Sequence, residues 1–164
     1  EAVKASRIRL DSLGLLSKAD LRQIENIQEI SYFKKEFDLI VAWELLHWLG
    51  TKQKWQSFFD EALKNLFLEG AIVFTMPTEN HFLLPNAKLV NKCYVINDQV
   101  NFFDKSEKTQ EVSLYAPPLQ KMKNYFKSLG LKQLYLARFE HGREGSKASL
   151  EVRSGYYVFV LCKA

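Results

Sequence analysis

A carboxylate, an imidazole and two indoles crowd into one short stretch, Trp43-Glu44-Leu45-Leu46-His47-Trp48, directly after the apolar run Phe37-Asp38-Leu39-Ile40-Val41-Ala42. A glutamate at the end of a strand can orient a hydroxyl or an amine, and burial that raises its pKa turns it into a general base. The same residue can instead supply a favourable negative charge to the first turn of a short helix, Leu45 to Leu49. Both roles fit Glu44. His47 reads either as a partly buried structural histidine or as a base in reach of a substrate proton. Glu44 and His47 are therefore the candidate catalytic residues, and Trp48 is expected in the core.

Other chemistries find less support. His47, His81 and His141 are far apart, and none has a Cys or carboxylate at a metal-motif interval, so no metal site is expected. Cys93 and Cys162 each sit in an apolar stretch, which favours buried free thiols over a disulfide. No Ser-His or Cys-His nucleophile arrangement is visible.

The net charge of +4 comes from lysines scattered along the chain, and the densest stretch, Arg138 to Arg153, also carries Glu140, Glu144 and Glu151. That mixture reads as a solvated loop and makes nucleic acid an unexpected partner. Apolar runs end long before the ~20 residues of a membrane span. The opening residues show no export signal, so a cytoplasmic location without a membrane partner is expected. Nothing in the residues indicates an oligomeric state.

The elements that must position Glu44 follow from periodicity. Glu1 to Leu13 predicts a helix stopped by Gly14, and the absence of an N-cap residue before it predicts that the chain opens inside an element. Leu21 to Ile24 predicts a short strand. Phe37 to Ala42 and Ala71 to Met76 are apolar on both faces, which predicts adjacent, parallel, central strands. Between them, Trp55, Phe58, Phe59, Ala62, Leu63, Leu66 and Phe67 mark one face of a helix over Lys52 to Leu68, ended by Gly70.

Cys93 to Ile96 and Gln99 to Phe103 flank Asn97-Asp98, which predicts a two-residue hairpin turn. Pro118 opens a helix whose stripe is Leu119, Met122, Phe126 and Leu129. Lys132 to Phe139 and Tyr156 to Cys162 predict the last two strands. The alternation of strands and helices over 164 residues predicts a single α/β domain.

Three segments, in this order, resemble class I S-adenosylmethionine-dependent methyltransferases. Phe37 to Leu49 resembles the family's fourth strand and following turn. Ala62 to Phe74 is similar to its next helix and fifth strand, although Leu68-Glu69-Gly70-Ala71 lacks the proline of the usual L-x-P-G-G turn. Leu119 to Phe139 and Tyr156 to Ala164 match its final helix and closing strands. The implied fold is a Rossmann-like methyltransferase sheet, mostly parallel with an antiparallel C-terminal strand and helices on both faces, incomplete at the N-terminus.

The resemblance also implies a cofactor, S-adenosylmethionine, and residues to hold it. Glu25 falls where the family accepts a hydrogen bond from the adenine amino group, and Asn26 where a backbone N–H meets the ring; a plain polar turn accounts for both equally. Ala42 and Trp43 fall where the methionine part of the cofactor borders the substrate. Residues 78–116, with His81, Phe82, Tyr94, Phe102, Phe103 and Tyr115, occupy the place of a substrate-facing lid or insertion, or form a satellite hydrophobic cluster. The glycines at 14, 50, 70, 130, 142, 145 and 155 contain no G-x-G, so the family's cofactor turn is missing and this chain alone is not expected to be cofactor-competent. The implied activity is methyl transfer to a small-molecule or glycan-type acceptor; the alternative is a non-catalytic interaction module built on the same sheet.

Overall fold

The computed structural model describes residues 2–22, 37–79, 81, 84, 88–90, 93–98, 110–142 and 153–163. Its helices are α1 (Ala2–Ser12), α2 (Lys52–Asn65) and α3 (Leu119–Ser128). Its strands are β1 (Phe37–Ala42), β2 (Leu66–Pro77), β3 (Lys88–Val90), β4 (Cys93–Asp98), β5 (Gln110–Leu114), β6 (Leu131–Gly142) and β7 (Arg153–Lys163).

The main sheet has the order β1-β2-β7-β6. β1 and β2 run parallel, with Ile40 opposite Ile72 and Ala42 opposite Phe74, as a right-handed crossover through α2 requires. β7 runs against both of its neighbours, so three strands share one direction and the C-terminal strand reverses between them. The expected parallel pairing of the two apolar runs is present. Only β2 is internal, however. β1 is the outermost of the four strands, and among the described residues nothing pairs with its free edge; its Leu39 and Val41 side chains, 53% and 58% exposed, lie on the less covered face of the sheet.

Strand alternation puts Ile72, Phe74 and Met76 of β2 and Phe159 and Leu161 of β7 on one face, all buried. Trp55, Phe58, Phe59 and Ala62 of α2 and Met122 and Phe126 of α3 complete that core. The two helix stripes predicted from the sequence are thus the two layers that cover this face. The opposite face carries Leu39, Val41, Val73, Val158 and Val160 and stays partly open among the described residues.

α2 starts where Thr51 caps it, the hydroxyl accepting from the Lys54 amide at 3.2 Å. It ends at Asn65, three residues earlier than the apolar spacing predicts. Leu66 is already extended, and Lys163 of β7 donates to the carbonyls of Leu63 and Leu66 at 3.2 Å each. That cation at a helix C-terminus satisfies carbonyls a longer helix would have used. β2 takes up residues 66–70 instead, and Phe67, placed on the helix stripe by spacing, is 44% exposed.

Three further expectations are corrected. Asn97 and Asp98 are not a turn: they lie inside β4 and pair with Glu111 and Gln110 of β5. Glu140 to Gly142, expected in a loop, extends β6 beyond the predicted end at Phe139, and Arg153 opens β7. Leu21 and Arg22 are irregular, and the rest of the predicted strand to Ile24, with Glu25 and Asn26, lies outside the described residues.

β3, β4 and β5 form a separate three-stranded antiparallel sheet within the segment read as a lid or insertion. No described helix is long and apolar enough to cross a membrane.

Because Phe74 is enclosed by Phe59, Phe126 and Phe159 at centroid distances of 5.0–5.5 Å, Phe74→Ala is expected to cost about 3–5 kcal/mol. Leu134→Ala, on an exposed side chain, is expected to stay within about 0.5 kcal/mol. Urea denaturation of the two variants checks both; equal midpoints would contradict this account of the core.

Candidate functional site

The site is built at the carboxyl ends of β1 and β2, the edge at which open α/β sheets take ligands. β1 stops at buried Ala42 and the chain turns through Trp43 and Glu44. Glu44 has φ 51°, in the left-handed region that residues with a Cβ seldom occupy, and it is the one such non-glycine among the described residues. The conformation is held from β2, where the buried Thr75 hydroxyl accepts from the Glu44 amide at 2.7 Å. Strain of this kind persists only where neighbours over-determine it, and it collects at functional sites.

After the turn, Leu46–Leu49 forms a 3-10 helix ended by Gly50, whose φ of 75° requires glycine. The preceding residue, Leu45, carries no side-chain cap, and no hydrogen bond joins the Glu44 carboxylate to this helix. The Glu44 side chain therefore makes no hydrogen-bonded cap, and what remains to it at this helix is the charge–dipole role. A Cβ on Gly50 would press on Ser113 of β5 at 3.0 Å, and the Tyr115 amide donates to the His47 carbonyl at 2.9 Å. These contacts fix the small sheet to the turn that carries the site.

His47 points inward and is 1% exposed. Its ring centroid lies 6.1 Å from that of His81 and 6.2 Å from that of Tyr156, and His81 meets Tyr156 edge-on at 4.8 Å. Burial, and next the proximity of His81, push the His47 pKa down to about 3; burial pushes His81 down to about 4. Both rings are neutral at physiological pH. Trp48 tilts over His47 at 5.0 Å but remains 39% exposed, so it is a lid on the pair rather than a core residue.

Thr78 joins the floor to β7: its amide donates to the Gly155 carbonyl at 2.9 Å, and its carbonyl accepts from the His81 amide at 3.0 Å. Any Cβ at Gly155 would run into the Thr78 hydroxyl, so glycine is needed for β7 to come this close. The next residue, Tyr156, faces Phe139 across the β6–β7 register, with rings stacked at 5.7 Å and 24°. Trp43 stacks in turn on Phe139 at 6.1 Å and 23°, leaving the indole 53% exposed. Burial, and after it the nearby Glu44 charge, push the Tyr156 phenol up to about 12.

The structure thus brings Trp43, Glu44 and His47 to one sheet edge, with Ala42 buried beneath them. Phe139 and Tyr156 complete this edge and were not singled out as site residues from sequence. Their only signal was position at the ends of two predicted strands, and only the β6–β7 register shows that the two ends meet. Cys162 is a free, half-buried thiol. Among the described residues no group of three or more His, Cys, Asp or Glu side chains could hold a metal ion.

No family model and no curated protein matches the sequence. Solved structures do match in shape. An S-adenosylmethionine-dependent methyltransferase from Methanosarcina mazei aligns with TM-score 0.66 at 13% identity, over 99% of this chain and 77% of that one. Another from Clostridium acetobutylicum gives 0.63 at 12%, over 98% and 70%. A third structure, described for the conversion of a disulfide bond into a thioacetal group during echinomycin biosynthesis, gives 0.60 at 11%, over 99% and 62%. The fold is that of the class I methyltransferases, as the resemblance implied.

The histidine pair makes stability depend on pH. Both groups titrate near 6.5 when unfolded and well below that when folded, so the unfolded state binds more protons as the pH falls. The contribution is complete above about pH 6.5 and declines from there toward pH 3–4, at up to about 1.4 kcal/mol per unit for each histidine. Urea unfolding at pH 7.5 and pH 5 is expected to show this loss, and His47→Phe or His81→Phe is expected to reduce it. A loss of the same size in both variants would contradict the assignment.

Proposed function

We propose that this chain carries the acceptor side of S-adenosylmethionine-dependent methyl transfer to a small-molecule or glycan-type acceptor. The observation that carries this reading is the left-handed Glu44, held by Thr75 beside an exposed indole at the ligand edge of the sheet. The longer structures that share the fold are themselves S-adenosylmethionine-dependent methyltransferases, which supports the reaction class.

The fit to the cofactor is one-sided. Trp43 offers an apolar wall at the place the resemblance gives to the methionine end, whereas buried Ala42 offers only backbone. Glu25 and Asn26 lie outside the described residues, and the 164 residues contain no G-x-G turn. When bound, S-adenosylmethionine supplies a methyl group activated on a sulfonium centre.

The chain's own residues orient and desolvate, which is most of what direct displacement needs. Glu44 holds the acceptor's hydroxyl or amine and takes its proton. Trp43 and Phe139 form the wall. In this reading His47, proposed with Glu44 from sequence, acts from below: with His81 and Tyr156 it makes a neutral floor that excludes water and fixes the turn. The second reading is a non-catalytic module on the same sheet, which would need no G-x-G turn.

Calorimetry with S-adenosylmethionine and transfer of its labelled methyl group to a panel of amines, alcohols and sugars, both measured on the full-length protein, separate the two. Binding and transfer support the enzyme; their joint absence supports the module. For the enzyme, Glu44→Gln is expected to lower transfer by about 10²-fold or more, with the melting temperature unchanged. Glu44→Gly, which releases the positive φ, is expected to raise stability by about 1 kcal/mol while losing transfer as fully. Normal transfer in both variants would remove Glu44 from the site.

A further inference from the structure

The rings Tyr156, Phe139 and Trp43 form a ladder that climbs from the sheet to solvent. Tyr156 is buried, Phe139 is half-buried between the other two, and Trp43 caps the stack with more than half of its surface open. Two near-parallel stackings, at 24° and 23°, hold the indole in place, so its open face is a prepared surface rather than a loose side chain. Directly after it stands Glu44, exposed, with its backbone held by Thr75 in the left-handed conformation.

An exposed indole face beside a carboxylate has a specific chemical preference. The ring quadrupole is negative over its face and attracts cations within about 6 Å of the centroid, tryptophan more strongly than the other aromatics. The carboxylate of the adjacent Glu44, carried on a backbone that Thr75 holds, adds a full negative charge at this edge. Arg138, the residue before Phe139, follows the opposite side of β6 by strand alternation and is paired with Glu79 at 3.0 Å. Glu79 also accepts from Tyr157 at 2.9 Å, which completes a separate polar contact on that other side.

We infer that the Trp43 face and the Glu44 carboxylate form a recognition site for an ammonium group, and that the acceptor is an amine. This rests on the methyl-transfer reading of the same edge. Trp43 receives the cationic nitrogen and its carbon substituents. Glu44 takes the proton: one N–H bond breaks, one O–H bond forms on the carboxylate, and the nitrogen is left with a free lone pair. A neutral hydroxyl acceptor, such as a sugar, gains nothing from the ring face and is disfavoured.

The test is binding, so that it stands apart from turnover. The indole N–H resonance of Trp43, assigned by its absence from Trp43→Leu, is followed while the protein is titrated with choline. A parallel titration uses 3,3-dimethyl-1-butanol, which has the same shape without the charge. Choline is expected to saturate with at least roughly tenfold tighter binding than the neutral isostere, a difference in line with a partly desolvated cation–π contact. That preference should fall at least severalfold in Glu44→Gln.

Both substituted side chains are exposed, and an unchanged pattern of the remaining backbone resonances verifies folding. Equal affinity for the two probes, or no saturable shift from choline, overturns the inference. S-adenosylmethionine and its neutral thioether S-adenosylhomocysteine form a second arm. A charge preference confined to that pair assigns the shelf to the cofactor's sulfonium and overturns the amine assignment. Failure of choline with normal methyl transfer sinks this inference alone; absence of transfer with intact choline binding sinks the reading it rests on.

Discussion

Phe74 of β2 lies flat on Phe159 of β7, with centroids 5.0 Å apart and planes 7° from parallel, while Phe59 and Phe126 meet it edge-on from α2 and α3. One ring therefore joins the two inner strands and both covering helices. Each such aromatic pair adds about 0.5–1.5 kcal/mol beyond the area it buries, and here three share one centre. The site depends on this junction because Thr75, the next residue of β2, reaches the opposite face and holds the Glu44 amide. A shift of β2 against β7 by one residue would exchange the two faces and withdraw that hydroxyl.

The edge above this core combines two kinds of order. Its floor is dry and neutral: His47, His81 and Tyr156 all have their charged forms disfavoured by burial. Its rim is exposed and polarised, with Trp43 and Glu44 on a turn that β2 fixes by a single short hydrogen bond. A low-dielectric floor beneath a carboxylate strengthens what that charge does to a bound group. The same floor leaves polar atoms with little to spare: His47 Nδ1 and Thr78 Oγ1 are buried without a hydrogen-bond partner among the described residues. Such a cost is characteristic of positions kept for geometry.

The layers were legible in the sequence because they follow period and apolarity. Trp55, Phe58, Phe59 and Ala62 pointed to the face of α2, and Ile40 to Ala42 and Ile72 to Met76 to a parallel pair. Element ends set by distant partners were not legible. Nothing near Asn65 announces that Lys163, 97 residues from Leu66 and 100 from Leu63, will take the carbonyls at the end of α2. Asn97-Asp98 has turn chemistry, but pairing with β5 outweighs it, since local preference yields where a ladder is available. At the site, the Trp43-Glu44-His47 cluster was visible as residue types after a strand. The ring ladder was not, because it needs the register of β6 on β7, and no local pattern encodes a register between strands joined by a long connection.

The strand order also has a consequence for biosynthesis. β2 is paired by β1 on one side and β7 on the other, yet residues 78–152 separate it from β7. As the polypeptide leaves the ribosome, β1, α2 and β2 emerge as a unit whose second edge, Ala71-Ile72-Val73-Phe74, lacks its β7 partner until residues 153–163 have emerged. An apolar, open edge of that kind is a template for pairing with other nascent chains. β6 and β7 are antiparallel partners, and only β7 reaches β2, so the interval before β7 pairs is when the open edge of β2 most needs protection.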